Sequence, residues 1–225
     1  MQELFFRKVR DTLSAERLGS YGAQDDADDC VLLARYLWNM SVCESLYSPL
    51  QIAEVGLRNM ISQRLSEKYG ELWFHKAPIS RYQQENIDNA IIKLKRSRKS
   101  LSPGAIVAEL SFGFWTSFFN KRHSRSGLGH YLAKSFVHAP KSQRDMKQLE
   151  QNWDRVRVMR NRVFHHERII HWKDLNDKHE KLLELIRWIS PELHEMTLAL
   201  DRFSVIRAEG IDPWIIKVSE HWPED

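Results

Sequence analysis

The chain has 225 residues, with 34 lysines and arginines against 30 aspartates and glutamates, a formal net charge of +4 and 42% hydrophobic residues. That length and balance belong to a folded chain with a sizeable core, not to a disordered one. Nine glycines and seven prolines are too few for a β-sandwich, and the only two cysteines, Cys30 and Cys43, lie inside helix-like apolar segments and suggest neither a disulfide framework nor a cysteine-based zinc site.

Apolar residues recur at helical spacing and the breakers cut the chain into helical lengths, so the expected fold is all-α. The opening "MQELFFRKVRD" carries charges on both sides of a short apolar patch, unlike a signal peptide, and no apolar run approaches membrane-spanning length. The expectation is a soluble, cytoplasmic protein without membrane contact. A short helix is predicted at about 14–18, ending near Gly19 and Gly22, and a longer one at about 26–46 on Val31, Ala34, Leu37 and Trp38. Ser48 and Pro49 read as the N-cap and first-turn proline of a further helix, which carries Leu50, Ala53, Leu57 and Ile61 and stops at Gly70. Another begins at about Ser80 with Ile87, Ile91 and Leu94.

Ser102 and Pro103 precede "GAIVAELSFGFWTSFF", apolar almost all round, as expected of one helix buried at the centre of a bundle. A short helix at about 128–136, a long one at about 142–166, and two more at about 175–189 and 192–208 complete the series. The domain reading is a single helical domain over 1–225, with its core at about 14–190 and a C-terminal helical extension at about 191–225.

Basic residues fall in three groups: Lys93, Lys95, Arg96, Arg98 and Lys99; Lys121, Arg122, His123 and Arg125; and Arg155, Arg157, Arg160 and Arg162. An acidic run, Asp25, Asp26, Asp28 and Asp29, suits the start of a helix, where the dipole favours anions. The first two basic groups read as solvated helix ends and loops.

The third group is different. Leu149, Trp153, Val156 and Val163 form an apolar stripe on the long helix, and Arg160 stands seven residues after Trp153, so a cation faces inward or lies at the stripe's edge. Such a charge needs a partner or a functional cleft. Asn161 and His165 are four apart and share a face, while Arg160 and His165 diverge by roughly 140° at a helical 100° per residue. A permanently charged guanidinium grips a phosphate through paired hydrogen bonds, and an imidazole exchanges protons near neutral pH. Those are the parts needed for RNA transesterification through the ribose 2′-hydroxyl, with His165 moving the proton and Arg160 stabilising charge on phosphorus. Asn161 would orient the imidazole or bind the phosphate, and His166 is a second proton carrier or a structural neighbour. This route calls for no metal or cofactor. The same residues also fit a structural reading, in which the histidines cap a helix end and Arg160 forms an ion pair.

The string "RNRVFHHERII" resembles the hallmark of Abi-like proteins, whose R-x(4–6)-H motif places them in the HEPN superfamily. "LSAERLGSY", "LYSPLQIAEVGLRNMI", "YGELWF" and "AELSFGFW" resemble that family's other motifs in order. The resemblance implies a HEPN-like helical bundle with additional helices and frequent pairing of two protomers. It also implies an RNase toxin used in abortive infection against phage, with an antitoxin left open. Carried over, the motif arginine is Arg160, its polar follower Asn161, and the histidine His165, with His166 also within the permitted spacing. Some HEPN proteins are instead non-catalytic modules that bind RNA, a nucleotide or a protein. Glu54, on the stripe of Leu50, Leu57 and Ile61, is expected within salt-bridge reach of Arg160, or of Arg58 one turn along its own helix.

Overall fold

A computed structural model describes residues 2–22, 28–121 and 127–221. Among the described residues every regular element is helical and no strand is present. The helices are α1 (Gln2–Leu13), α2 (Ala15–Gly19), α3 (Asp29–Tyr69), α4 (Trp73–Lys76), α5 (Arg81–Arg96), α6 (Pro103–Glu109) and α7 (Phe112–Thr116), followed by a 3₁₀ turn at Ser117–Phe119. After them come α8 (Leu128–Ala133), a second 3₁₀ turn at Lys141–Gln143, α9 (Met146–Phe164), α10 (Leu175–Ile189), α11 (Pro191–Leu198), α12 (Phe203–Glu209) and α13 (Asp212–Glu220). No described helix is long and apolar enough to cross a membrane.

The chain divides into two compact units that interleave along the sequence: Met1–Tyr47, Asn161–His179 and Asp201–Asp225 in the first, Ser48–Arg160 and Glu180–Leu200 in the second. In the first, Phe6, Leu18, Leu33, Ala34 and Val218 form a buried cluster, with Leu37, Trp214 and Ile215 packed against it. It therefore draws on α1, α2, α3 and α13. The second is built on rings. Trp73, Phe74, Phe114, Trp115 and Phe118 make edge-on, tilted and stacked contacts at centroid separations of 4.8–6.4 Å, and Phe136 joins Phe119 and Trp153.

Local chemistry explains most helix ends. Ser80 and Gln83 form a reciprocal capping box at the start of α5, Ser102 accepts from the Ala105 N–H with Pro103 in the first turn of α6, and Gly70 takes φ 87° just past α3. Asp28 accepts from the Val31 N–H at 2.8 Å and so caps α3; Asp25 and Asp26 lie outside the described residues, as do Arg122, His123 and Arg125.

Four sequence expectations are corrected. Ser48 and Pro49 open no new helix, because α3 runs through Pro49 for 41 residues. A proline inside a helix costs about 3 kcal/mol. Leu46, Leu50, Leu57, Ile61 and Leu65, all essentially buried, stand on either side of it, and full burial of one such side chain is worth roughly 1.5–3 kcal/mol. The segment after Pro103 is not one helix: the backbone extends at Leu110 (ψ 133°), and the Ser111 hydroxyl accepts from the Phe114 N–H to start α7. Ile106, Phe112, Phe114, Trp115, Phe118 and Phe119 are nonetheless buried. The stretch at 192–208 is α11 and α12, divided where Asp201 accepts from the Phe203 N–H. Finally, α9 starts at Met146, where Asp145 caps the Lys147 and Gln148 N–H groups, and it ends at Phe164.

Candidate active site

On α9 the buried positions are Leu149, Asn152, Trp153, Val156, Met159 and Val163. Met159 rather than Arg160 fills the interior place, so Arg160 lies at the edge of the stripe with 28% of its side chain exposed. Its Nε donates to Oε2 of Glu54 at 3.0 Å, and the Glu54 side chain is 23% exposed. The ion pair expected from the sequence is present, and the carboxylate takes Arg160 rather than Arg58, whose Nε donates to Asn59 at 3.2 Å. Burial explains the choice: a surface pair one helical turn apart is worth about 0.3–0.5 kcal/mol, whereas a pair mostly withdrawn from water gains more from the same charges. A carboxylate at Nε fixes the plane of the guanidinium fork.

The residues that follow belong to the first unit. The His165 N–H still donates to Asn161 at 2.9 Å, so helical hydrogen bonding reaches His165, one residue beyond α9. His166 then turns into the left-handed region at φ 58°. Its N–H donates to the Val163 carbonyl at 3.1 Å, and that of Glu167 reaches back to Arg162 at 2.9 Å. This is a Schellman ending with histidine where glycine is usual, and a Cβ there costs about 1–2 kcal/mol. Both histidine side chains are exposed. Arg162 pairs with Glu167, and Arg17 donates to the His166 carbonyl at 3.3 Å.

Sequence reasoning did not identify Asn39. Its side chain is buried on α3, with 2% of the residue exposed. Oδ1 accepts from the N–H groups of Ile169 (2.8 Å) and Ile170 (3.3 Å), while Nδ2 donates to the Glu167 carbonyl at 3.2 Å. One amide thus satisfies three backbone groups of the irregular segment after the histidines. Nδ2 also contacts the Cys43 sulfur at 3.7 Å, and burial pushes that thiol up to about 11, so it is neutral and unreactive near pH 7. The available signal was a single Asn within a largely apolar helical run.

The remaining arginines of the third basic group are ordinary: Arg157 pairs with Asp154 and Arg155 is exposed. Lys93, in the first basic group, pairs with Glu109. Among the described residues, no three His, Cys, Asp or Glu side chains come together as a metal site would require. Comparison with protein-family models, with curated proteins and with solved structures returns no match.

Proposed function

We propose that this protein is a metal-independent endoribonuclease of the Abi-like HEPN type, acting in phage defence as a cytoplasmic toxin, with Arg160 and His165 as its catalytic residues. The observation that supports this reading most is the Glu54–Arg160 pair. It joins "EVGLRN" to "RNRVFHHE", two blocks of the resemblance, through side chains 106 residues apart. An arginine oriented by a carboxylate is suited to bind a phosphate in a set direction.

In the proposed step His165 accepts the proton of a ribose 2′-hydroxyl, whose oxygen attacks the adjacent phosphorus. The bond from phosphorus to the 5′-oxygen breaks, that oxygen takes up a proton, and Arg160 stabilises the charge that builds on the phosphoryl oxygens. The products are a 2′,3′-cyclic phosphate and a 5′-hydroxyl. Asn161 supports the imidazole or the phosphate, His166 is the alternative proton carrier, and two protomers pair so that the motif of one completes that of the other.

The test is incubation of purified protein with RNA in EDTA, with analysis of the fragment ends. Cyclic phosphate ends, intact DNA, and loss of cleavage by two or more orders of magnitude in Arg160→Ala and His165→Ala are the expected results. Full activity in both variants overturns the assignment. RNA binding without cleavage by the wild type points instead to a non-catalytic binding module.

A further inference from the structure

The turn that joins α5 to α6 carries cations that take no part in the chemistry above. From Asn89 to Ala108 the sequence has no aspartate or glutamate, yet it has Lys93, Lys95, Arg96, Arg98 and Lys99. Among the described residues only Glu109 answers them. It accepts a hydrogen bond from Lys93, and that bond, with the charges of Lys93 and Lys99, holds its carboxyl below the usual carboxylate range. Lys95, Arg96 and Arg98 are exposed and pair with no carboxylate among the described residues.

The backbone of this turn is fixed from both sides. Leu94 is buried, and the N–H groups of Arg98 and Lys99 donate to the carbonyls of Lys95 and Leu94, each at 3.0 Å, with Arg98 in the left-handed region at φ 53°. Downstream, Ser102 caps α6. This is a Schellman ending with arginine where glycine avoids the clash of a Cβ with the backbone. The dipole of α5 favours cations in its last turn, and Lys93, Lys95 and Arg96 already supply them. It gives no reason for an arginine at the strained position. A strained residue that is also an unpaired cation points to a ligand with negative charge.

The surroundings of the cations narrow that ligand. No aromatic residue occurs from Asn89 to Ala108, so the segment has no ring on which a base could stack, and recognition falls on repeated charge. An anionic membrane would need apolar side chains to insert, and Ile92 and Leu101 are the only large exposed ones in the segment. A chain of phosphodiesters uses the cations alone. We propose that Lys95, Arg96, Arg98 and Lys99 form an exosite that holds the phosphate backbone of single-stranded RNA without reading its sequence. The inference rests on the RNase reading for its ligand.

The probe is a fluorescein-labelled 2′-O-methyl decaribonucleotide, which has no free 2′-hydroxyl, so anisotropy reads binding whether or not the protein cleaves. Each lost phosphate contact flattens the dependence of log affinity on log salt by about 0.7, so the variant with all four residues changed to Gln should lose about 2–3 in slope and about tenfold or more in affinity. Uridine and adenine decamers should bind within about threefold of each other. A control with Arg7, Lys8, Lys134 and Lys173 changed to Gln removes the same charge from scattered exposed positions, and it should stay within about threefold of wild type. Arg98→Gly separates contact from structure: its melting temperature should rise as the strain is relieved, while its salt slope flattens by about 0.7. Affinity within twofold of wild type and an unchanged slope in the fourfold variant overturn the exosite and leave the nuclease reading standing. An equal loss in the scattered control also overturns it. Probe binding that falls only in the fourfold variant, without cleavage of RNA by the wild type, supports the exosite and removes the nuclease reading. Vesicles of phosphatidylserine that hold the wild type and release the fourfold variant, with RNA binding the same in both, overturn the choice of ligand.

Discussion

Replacing Glu54 by glutamine keeps the shape of the side chain and removes the charge opposite Arg160, 3.0 Å away. An exposed ion pair contributes about 0–1 kcal/mol, while breaking a buried one costs about 3–5 kcal/mol because the surviving charge is left without compensation. With Arg160 and Glu54 only 28% and 23% exposed, the cost should fall between those limits, at about 2 kcal/mol. For a chain of this size that is roughly 4–8 °C in melting temperature. The double variant Glu54→Leu with Arg160→Met replaces both charges by apolar groups, and it should cost less than the two single changes added together, by about 1–2 kcal/mol. Urea unfolding followed by far-ultraviolet circular dichroism, the natural probe for an all-helical chain, measures all four corners of the cycle. Cleavage by Glu54→Gln should fall at temperatures where the protein remains folded, because the guanidinium loses its orientation. A coupling energy below about 0.5 kcal/mol, within the ordinary error of additivity, would refute the claim that the pair is a unit, and unchanged cleavage would refute its supporting role.

Asn39→Ala should destabilise by roughly 2–3 kcal/mol, since it strands the Ile169 N–H in a buried place and exposes the Ile170 N–H and Glu167 carbonyl to lost pairing; amide exchange at Ile169 in native protein should accelerate, and unaltered exchange would argue against the clamp. His166→Gly should raise stability by about 0.5–1 kcal/mol, because relief of the left-handed backbone at φ 58° outweighs glycine's greater freedom in the unfolded chain. Cleavage retained in that variant assigns proton transfer to His165, and cleavage lost with stability raised assigns it to His166.

Helix boundaries could be read wherever the deciding chemistry lies within a few residues. Ser80 with Gln83, Ser102 with Pro103, and Gly70 are local devices, and the helices start or stop beside them. The readings that failed needed information from elsewhere in the chain. Pro49 is a strong local signal for a helix start, yet the buried residues on both sides of it keep α3 continuous. Ser111 and Asp201 are polar residues that a helix tolerates, and only their hydrogen bonds to the Phe114 and Phe203 N–H groups show them to be caps that divide helices. The N-terminal α1 has no counterpart among the helices expected from the sequence, whereas α13 falls within the expected C-terminal helical extension; both supply residues to the core of the first unit.

The candidate site divides along the same line. The sequence narrows the partner of Glu54 to Arg160 or Arg58, because Glu54 and Arg160 are each a charge interrupting an apolar stripe while Arg58 lies one turn along the same helix; the choice of Arg160 is made by the fold. Asn39 left no such mark, since its principal partners are backbone N–H and carbonyl groups some 130 residues away, and backbone groups have no side-chain pattern to read. His166 is hidden for a related reason: a glycine at its position would have indicated a left-handed helix ending, and histidine does not. That residue holds its conformation against a cost of about 1–2 kcal/mol. The bonds from Asn39 to the segment 167–170 and from Arg17 to the His166 carbonyl offset it. Strain of this kind persists only when surrounding structure over-determines it. The direction in which the two histidines face is therefore set as much by Asn39 and Arg17, far away in sequence, as by the motif that contains them.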